Sequence, residues 1–429
     1  MVLCECLGRG ASDRRDLDSR DCSRIAAGIP QSIEERLDPV DACEDEPVEL
    51  VECVGRVLAS DVRASVNVPG FPRSAMDGYA LRGEESFGAS AYNPIRFDIV
   101  GESMPGHPFA GEVRKGCAVR IMTGAPVPAG ADAVVMAEVC TEEGDHVEVT
   151  EPVAPKKNVG VIGEDIRDGD LVLRAGRRLR PQDAGLLSSI GVAQPVCVRR
   201  PRVRLVVTGN ELLPAGSTPG GSKIVDSNSV VLRGLLARDG AELLPFEILP
   251  DEPGPIEDAM ADPDADIVLV SGGSSVGKED YAPQLLDRIG SLDFHGVSMR
   301  PSSPAGVGRI NNTLVFLLPG NPVSCLCAYE FFAGPSVRGM GGRSRAWPHR
   351  QVRMKLSRKI ASKVGRTDYV RVAEEGGEIV PLATSGASIL SSTVRAVGAV
   401  IVPREREGMA PGDEVDVLLY DDEPWEPAS

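Results

Sequence analysis

Residues 266–281 read Asp266-Ile-Val-Leu-Val-Ser-Gly-Gly-Ser-Ser-Val-Gly-Lys-Glu-Asp-Tyr281, and this stretch decides the fold. Ile267 to Val270 are β-branched or leucine, and the run closes on Ser271 without a charge. That is the composition of a parallel strand covered on both faces. Gly272, Gly273 and Gly277 follow, and they let a loop take positive φ and approach a ligand closely. Asp280 is placed to cap the next helix, with Pro283 in its first turn and Gly290 just past its end. Strand, glycine loop and helix start form an anion-binding shape, because unpaired backbone N–H groups point at the loop.

The stretch also contains a near-miss. Gly272 to Lys278 fits the first seven positions of a phosphate-binding G-x-x-x-x-G-K loop, whose eighth position is Ser or Thr to hold Mg2+. Here it is Glu279, a carboxylate that repels the β- and γ-phosphates. The nucleoside-triphosphatase reading is weakened accordingly, and an ordinary connecting loop is the plain alternative.

The totals bound the answer. At about 150 residues per domain, 429 residues imply roughly three domains. Gly 47 and Pro 34 point to many turns, so to mixed α/β and β domains. A net charge of −17 without a Lys/Arg run argues against nucleic acid and against an anionic membrane. Ten cysteines are present, with no C-x-x-C pair, so free thiols in a reducing compartment are expected and zinc is not. No apolar run of about 18 residues occurs, and the N-terminal stretch is polar and charged rather than signal-like. A soluble, cytoplasmic protein is the expectation.

Along the chain, residues 1–29 are charged and lack apolar periodicity, so a disordered tail is expected. Residues 30–67 with 160–200 read as a mixed connecting domain. It has helical candidates at Ser32 to Leu37, at Val48 to Leu58 and after Pro181. Residues 68–159 alternate short apolar runs with Gly/Pro turns, a β-rich domain. There Asp77 precedes Gly78, and Thr123 precedes Gly124; both are placed to close turns, Asp77 by bonding its own backbone. From 201 to 343 strands and helices alternate, which predicts a doubly wound parallel α/β sheet. Strands are expected at Val203 to Val207, Leu243 to Leu249 and Leu314 to Leu318. Asn321 and Pro322 launch a helix over Val323 to Phe332 that Gly334 stops. Ligands of such sheets bind beyond the carboxyl ends of the strands. The loops at Thr208, Gly272 and Pro319 all follow strands, so all belong on that edge. Residues 344–425 are short strands and turns, read as a small C-terminal β-barrel.

These loops together resemble one family. Ser74-Ala-Met-Asp-Gly-Tyr-Ala80, Ile121-Met-Thr-Gly-Ala-Pro126, Thr208-Gly-Asn-Glu-Leu212, Asp226-Ser-Asn228, Ser271-Gly-Gly-Ser-Ser-Val-Gly277 and Leu318-Pro-Gly-Asn-Pro-Val-Ser324 are similar to the motifs of the molybdopterin molybdenumtransferase family, which includes the gephyrin C-terminal region. They occur in the family's order across about residues 30 to 422. The resemblance implies insertion of molybdate into adenylylated molybdopterin with release of AMP and a need for Mg2+. It implies a homodimer of four-part subunits, with the active site between the doubly wound domain of one subunit and the β domain of the other. It implies work alongside other molybdenum cofactor biosynthesis proteins, while the net charge has already argued against a nucleic-acid or membrane partner.

Residue by residue, the resemblance makes Asp77, Thr123, Glu211, Asp226 and Asp280 the catalytic set, with Asp226 and Asp280 as Mg2+ ligands. Substrate binding falls to Thr208, Gly209, Ser271, Gly272, Gly273, Ser274, Gly277, Lys278, Arg300, Pro319, Gly320, Asn321, Ser324 and Arg366. Arg366 and Arg371 both flank the C-terminal segment expected at the cleft. The chain departs from the family pattern in three places. Ser303 stands where a lysine is expected, Ala387 where a serine is expected, and Lys278 where a neutral or acidic residue is expected. Lys278 or Arg300 is the candidate replacement for the lost lysine. The same departures define an alternative, a non-catalytic molybdopterin-binding or scaffold relative.

Overall fold

A computed structural model describes residues 42–273, 281–383 and 386–421. These form two compact units, one of residues 47–54 and 58–196, the other of the remaining described residues. The expected tail, the Ser32–Leu37 helix and the positions Ser274, Gly277, Lys278, Glu279 and Asp280 lie outside the described residues.

In the larger unit the strand Ile267–Ser271 is buried along its whole length. It lies between Arg202–Thr208 and Thr313–Leu318, parallel to both. Its side chains alternate between two cores. Ile267 and Leu269 join Leu205, Phe316, Leu232 and Leu236 on the face covered by the helix Asn228–Asp239. Val268 and Val270 join Val206, Val315, Leu285 and Leu286 on the face covered by Ala282–Ile289. The doubly wound arrangement follows from that double burial.

Four readings are corrected. The seven-stranded sheet is not wholly parallel: Gly306–Ile310 and Ser291–His295 complete one edge antiparallel. A two-residue turn at Asn311, with φ +53°, sends Thr313–Leu318 back along Gly306–Ile310, a left-handed position that asparagine tolerates. The strand expected over Leu243 to Leu249 is two short pieces, Glu242–Leu243 and Ile248–Leu249. Pro245 between them has no N–H for a ladder. The helix from Pro322 does not stop at Gly334. It widens into a π-turn over Tyr329–Ala333 and continues as Gly334–Met340. The wide turn carries Glu330, 3% exposed, to Arg238 at 2.6 Å and His349 at 3.2 Å. Finally, Val48 to Leu58 holds only the short turn Leu50–Glu52. Val48, Cys53, Val57 and Leu58 are buried all the same, but Gly55 at φ +84° breaks the run, so they reach the core without a helix.

Five C-terminal strands and Met299–Arg300 form a six-stranded sheet in the same unit. A single bridge between Leu356 and Ile379 joins its two ends. Tyr369 and Trp347 meet Phe331 edge-on, with ring centroids 6.1 and 4.9 Å apart, so this sheet shares the α/β core.

The smaller unit is built on a six-stranded sheet. Gly78–Leu81 lies between Ala133–Met136 and Cys117–Ile121. Phe97, Leu81, Val135 and Val147 fill its core. The helix Pro181–Ser189 starts at its proline and ends before Gly191, φ +81°, as expected.

Candidate functional site

Three strand ends meet on one edge of the α/β sheet. Val207 pairs with Ser271, and Ser271 with Leu318, so Thr208, Ser271 and the Pro319–Gly320 loop are neighbours. Gly272 turns the chain across Thr208 at φ +101°. A Cβ there would lie 2.4 Å from the Thr208 carbonyl oxygen, so glycine is required. Gly273 follows at φ +55°. Gly209 donates its N–H to the Leu249 carbonyl at 3.4 Å.

Asn228, at the head of its helix, ties this edge together. Its Nδ2 donates to Ser271 Oγ at 3.0 Å and to the Gly320 carbonyl at 2.8 Å. Asn228 Oδ1 and Thr208 Oγ1 are buried with no partner among the described residues. From sequence Asn228 reads as part of a helix start, within Asp226-Ser-Asn228, and not as a site residue. Its signal was its place two residues after Asp226 at a helix start.

Asp226 is 5% exposed. Its carboxylate accepts from the Ser229 N–H at 3.1 Å and from the Ser229 hydroxyl, so it closes the first turn of the helix. Among the described residues no three His, Cys, Asp or Glu side chains gather as a metal site. Both Asp226 oxygens accept from Ser229, and Asp280, the other expected Mg2+ ligand, lies outside the described residues. Glu211 is exposed on the loop after Thr208, and its carbonyl accepts from Ile224 N–H at 3.0 Å.

The helix start at Pro322 meets the loop that holds Ala387 and Ser388. Val323 N–H donates to the Ala387 carbonyl at 3.0 Å, and Ser388 Oγ donates to Asn321 Oδ1 at 2.7 Å. The side chain of Asn321 therefore does not cap its own helix. Ser324 contributes its carbonyl, which accepts from Ser302 Oγ at 2.6 Å. Cys325, behind Ser271 Oγ at 3.9 Å, has its thiol pushed up to about 12 by burial, so it stays protonated and un-nucleophilic.

Arg300 and Arg366 converge on Asp368, a residue to which the sequence reading gave no role. Arg371 is only 2% exposed, whereas the Arg366 side chain keeps 28% of its surface. Burial thus separates two arginines that the sequence left equivalent. Ser303 is exposed.

In the smaller unit Asp77 and Thr123 do meet. The Thr123 N–H and hydroxyl both donate to Asp77 Oδ1 at 2.7 Å. Asp77 therefore bonds across strands rather than to its own turn. These two bonds, the backbone one first, hold its carboxyl below the usual carboxylate range. Both residues are exposed.

Among the described residues no helix is long and apolar enough to cross a membrane. Three family profiles match in chain order: the MoeA N-terminal region (domain I and II) at residues 23–191, a "Probable molybdopterin binding domain" at 204–339, and the MoeA C-terminal region (domain IV) at 353–420. The molybdopterin molybdenumtransferase of Haemophilus influenzae is 33% identical over 87% of this chain and 93% of its own length. Molybdopterin molybdenumtransferase 2 of Mycobacterium tuberculosis is 33% identical over 88% of this chain and 95% of its own. The crystal structure of the molybdopterin biosynthesis MoeA protein of Pyrococcus horikoshii superposes with TM-score 0.72 at 32% identity, covering 95% of this chain and all of that one. Relatives that carry the enzyme's name along nearly their whole length do not favour the scaffold alternative. The chain belongs to the molybdopterin molybdenumtransferase family.

Proposed function

We propose that this protein inserts molybdate into adenylylated molybdopterin and releases AMP. The observation that carries the reading is the edge where Thr208, Ser271–Gly273 and Gly320 meet, tied by Asn228. Glycine backbone and strand-end polar groups of this kind suit a pterin and its phosphates. The dithiolene of the substrate supplies the bonds to molybdenum; the chain supplies position and charge.

The site assignments belong to the same proposal. Asp77 and Thr123 act from the β-rich domain, and Glu211, Asp226 and Asp280 from the α/β domain. The substrate-binding set is Thr208, Gly209, Ser271, Gly272, Gly273, Ser274, Gly277, Lys278, Arg300, Pro319, Gly320, Asn321, Ser324 and Arg366. The two acidic walls come together across a homodimer. The domain limits 30–67 with 160–200, 68–159, 201–343 and 344–425 are proposed with it. So is a barrel-like closure of the last domain, supported by the Leu356–Ile379 bridge. A cytoplasmic setting and other molybdenum cofactor biosynthesis proteins as partners complete it.

Purified protein mixed with adenylylated molybdopterin, Mg2+ and molybdate is expected to release AMP with formation of molybdenum cofactor. Tight binding without AMP release overturns the enzyme reading. Repeating the assay with EDTA reads the Mg2+ requirement, and sedimentation reads the dimer.

A further inference from the structure

The strand Met299–Arg300 runs parallel to Thr367–Glu375, with Arg300 opposite Asp368. Asp368 is 1% exposed. A carboxylate so buried is tolerated only when its oxygens are satisfied by charge and hydrogen bonds. Three bonds do this. Arg300 Nη2 donates to Oδ2 at 2.8 Å, Arg366 Nε to Oδ1 at 2.8 Å and Arg366 Nη2 to Oδ2 at 3.3 Å. The two arginine side chains nevertheless keep 33% and 28% of their surface. Two cations share one anion, so the trio is a positive spot on a chain of net charge −17. Each guanidinium is a planar fork with donors left over after the carboxylate is served. Arg300 Nε is itself buried with no partner among the described residues, so the donors left for a ligand belong to the Nη groups.

We propose that Asp368 is a positioning residue for the reaction. It holds Arg300 and Arg366 side by side from beneath, so that their remaining donors present a fixed fork to a tetrahedral oxyanion. Asp368 does not touch the substrate. The inference rests on the reading that Arg300 and Arg366 contact the substrate.

Charge and position make opposite demands on this carboxylate. Removing a negative charge beside an anion site strengthens anion binding if only charge matters. Losing the carboxylate weakens binding if orientation matters, because two long side chains must then be fixed by the ligand itself. The test is the full-length chain with Asp368→Asn, read as KM for molybdate and kcat in the AMP-release assay, with thermal midpoint as the control for folding. The expected result is a molybdate KM raised about tenfold with kcat little changed. A KM that falls or stays the same overturns the inference. Arg300→Gln separates the two levels. If it raises KM and Asp368→Asn does not, positioning fails and the substrate contact stands. If Arg300→Gln leaves KM unchanged, the contact fails and the inference with it. Should Asp368→Asn not fold, Asp368→Glu keeps the charge and moves it by one methylene. It is expected to raise KM by about threefold, and an unchanged KM overturns the proposal.

Discussion

The edge of the α/β sheet and the Asp77–Thr123 turn carry proposed site residues in opposite settings. On the sheet edge Thr208, Asp226, Asn228 and Ser271 are each at most 8% exposed. Their polar groups serve the architecture as well as any ligand: Asn228 joins two strand ends, and Asp226 closes a helix turn. On the β-rich unit Asp77 and Thr123 are exposed, and their bonds hold each other rather than a core. Substitutions on the first surface mix stability with function. Substitutions on the second separate them.

The largest expected effect tests the first half of that contrast. Gly272→Ala places a Cβ 2.4 Å from the Thr208 carbonyl oxygen at φ +101°. Backbone strain and the forced shift together cost about 3 kcal/mol. A denaturant melt is expected to show that loss together with lost AMP release. Full stability with lost activity would mean the loop is not part of the packed edge.

Asn228→Ala is expected to cost somewhat less, roughly 2 kcal/mol, because it removes two bonds and leaves the buried Ser271 hydroxyl and the Gly320 carbonyl without this donor. Here too stability and activity should fall together. Asn228→Asp keeps the shape but no longer donates, and it should recover little of either. Recovery by Asp would show that the amide hydrogens do not hold the strand ends.

The same contrast explains what the sequence disclosed. The strand Ile267–Ser271 was legible because double burial leaves an unbroken apolar run, and burial is a property that local composition reports. The strand-end edge was legible because βα alternation orders the loops before any contact is known. The antiparallel hairpin at Asn311 escapes the sequence because three of the five residues of its strand Gly306–Ile310 are glycine or valine, with no alternation to read. The run from Tyr329 past Gly334 was misread because Gly334 sits at φ −56°, an ordinary helical angle, and the ion pairs of Glu330 with Arg238 and His349 lie far apart in sequence. Asp368 was unreadable for the same reason: its role is set by Arg300, 68 residues away. The pairing of Asp77 with Thr123 was open in sequence, where each residue had a local turn as its simpler explanation, and only the cross-strand register Gly78–Ile121 brings them together.

Asp77→Asn tests the second half. Because Asp77 is exposed, stability is expected to stay within about 0.5 kcal/mol. AMP release should fall about tenfold, ~1.4 kcal/mol of barrier, with no matching change in thermal midpoint. A fall in midpoint as large as that of Asn228→Ala would erase the distinction between the two surfaces.

The smallest effect is the sharpest. Thr123 lowers the Asp77 carboxyl first through its backbone N–H and then through its hydroxyl. Thr123→Val keeps the shape and the backbone donor and removes only the hydroxyl, so the Asp77 pKa should rise part of the way toward the usual value of about 3.9. The sign follows from which form is favoured. The parent carboxylate stays ionised as pH falls through the ordinary carboxylate range and protonates only below it; in the variant protonation begins at higher pH. Any stabilisation linked to the lowered carboxyl is present above the ordinary value and lost as pH falls through the folded one. With the group exposed, that contribution is screened, and the melt should not move. Carbon-detected NMR titration of the Asp77 carboxyl reads the shift directly. An unmoved titration would mean that the backbone N–H alone sets this carboxylate, and that the Thr123 hydroxyl is left over for the substrate.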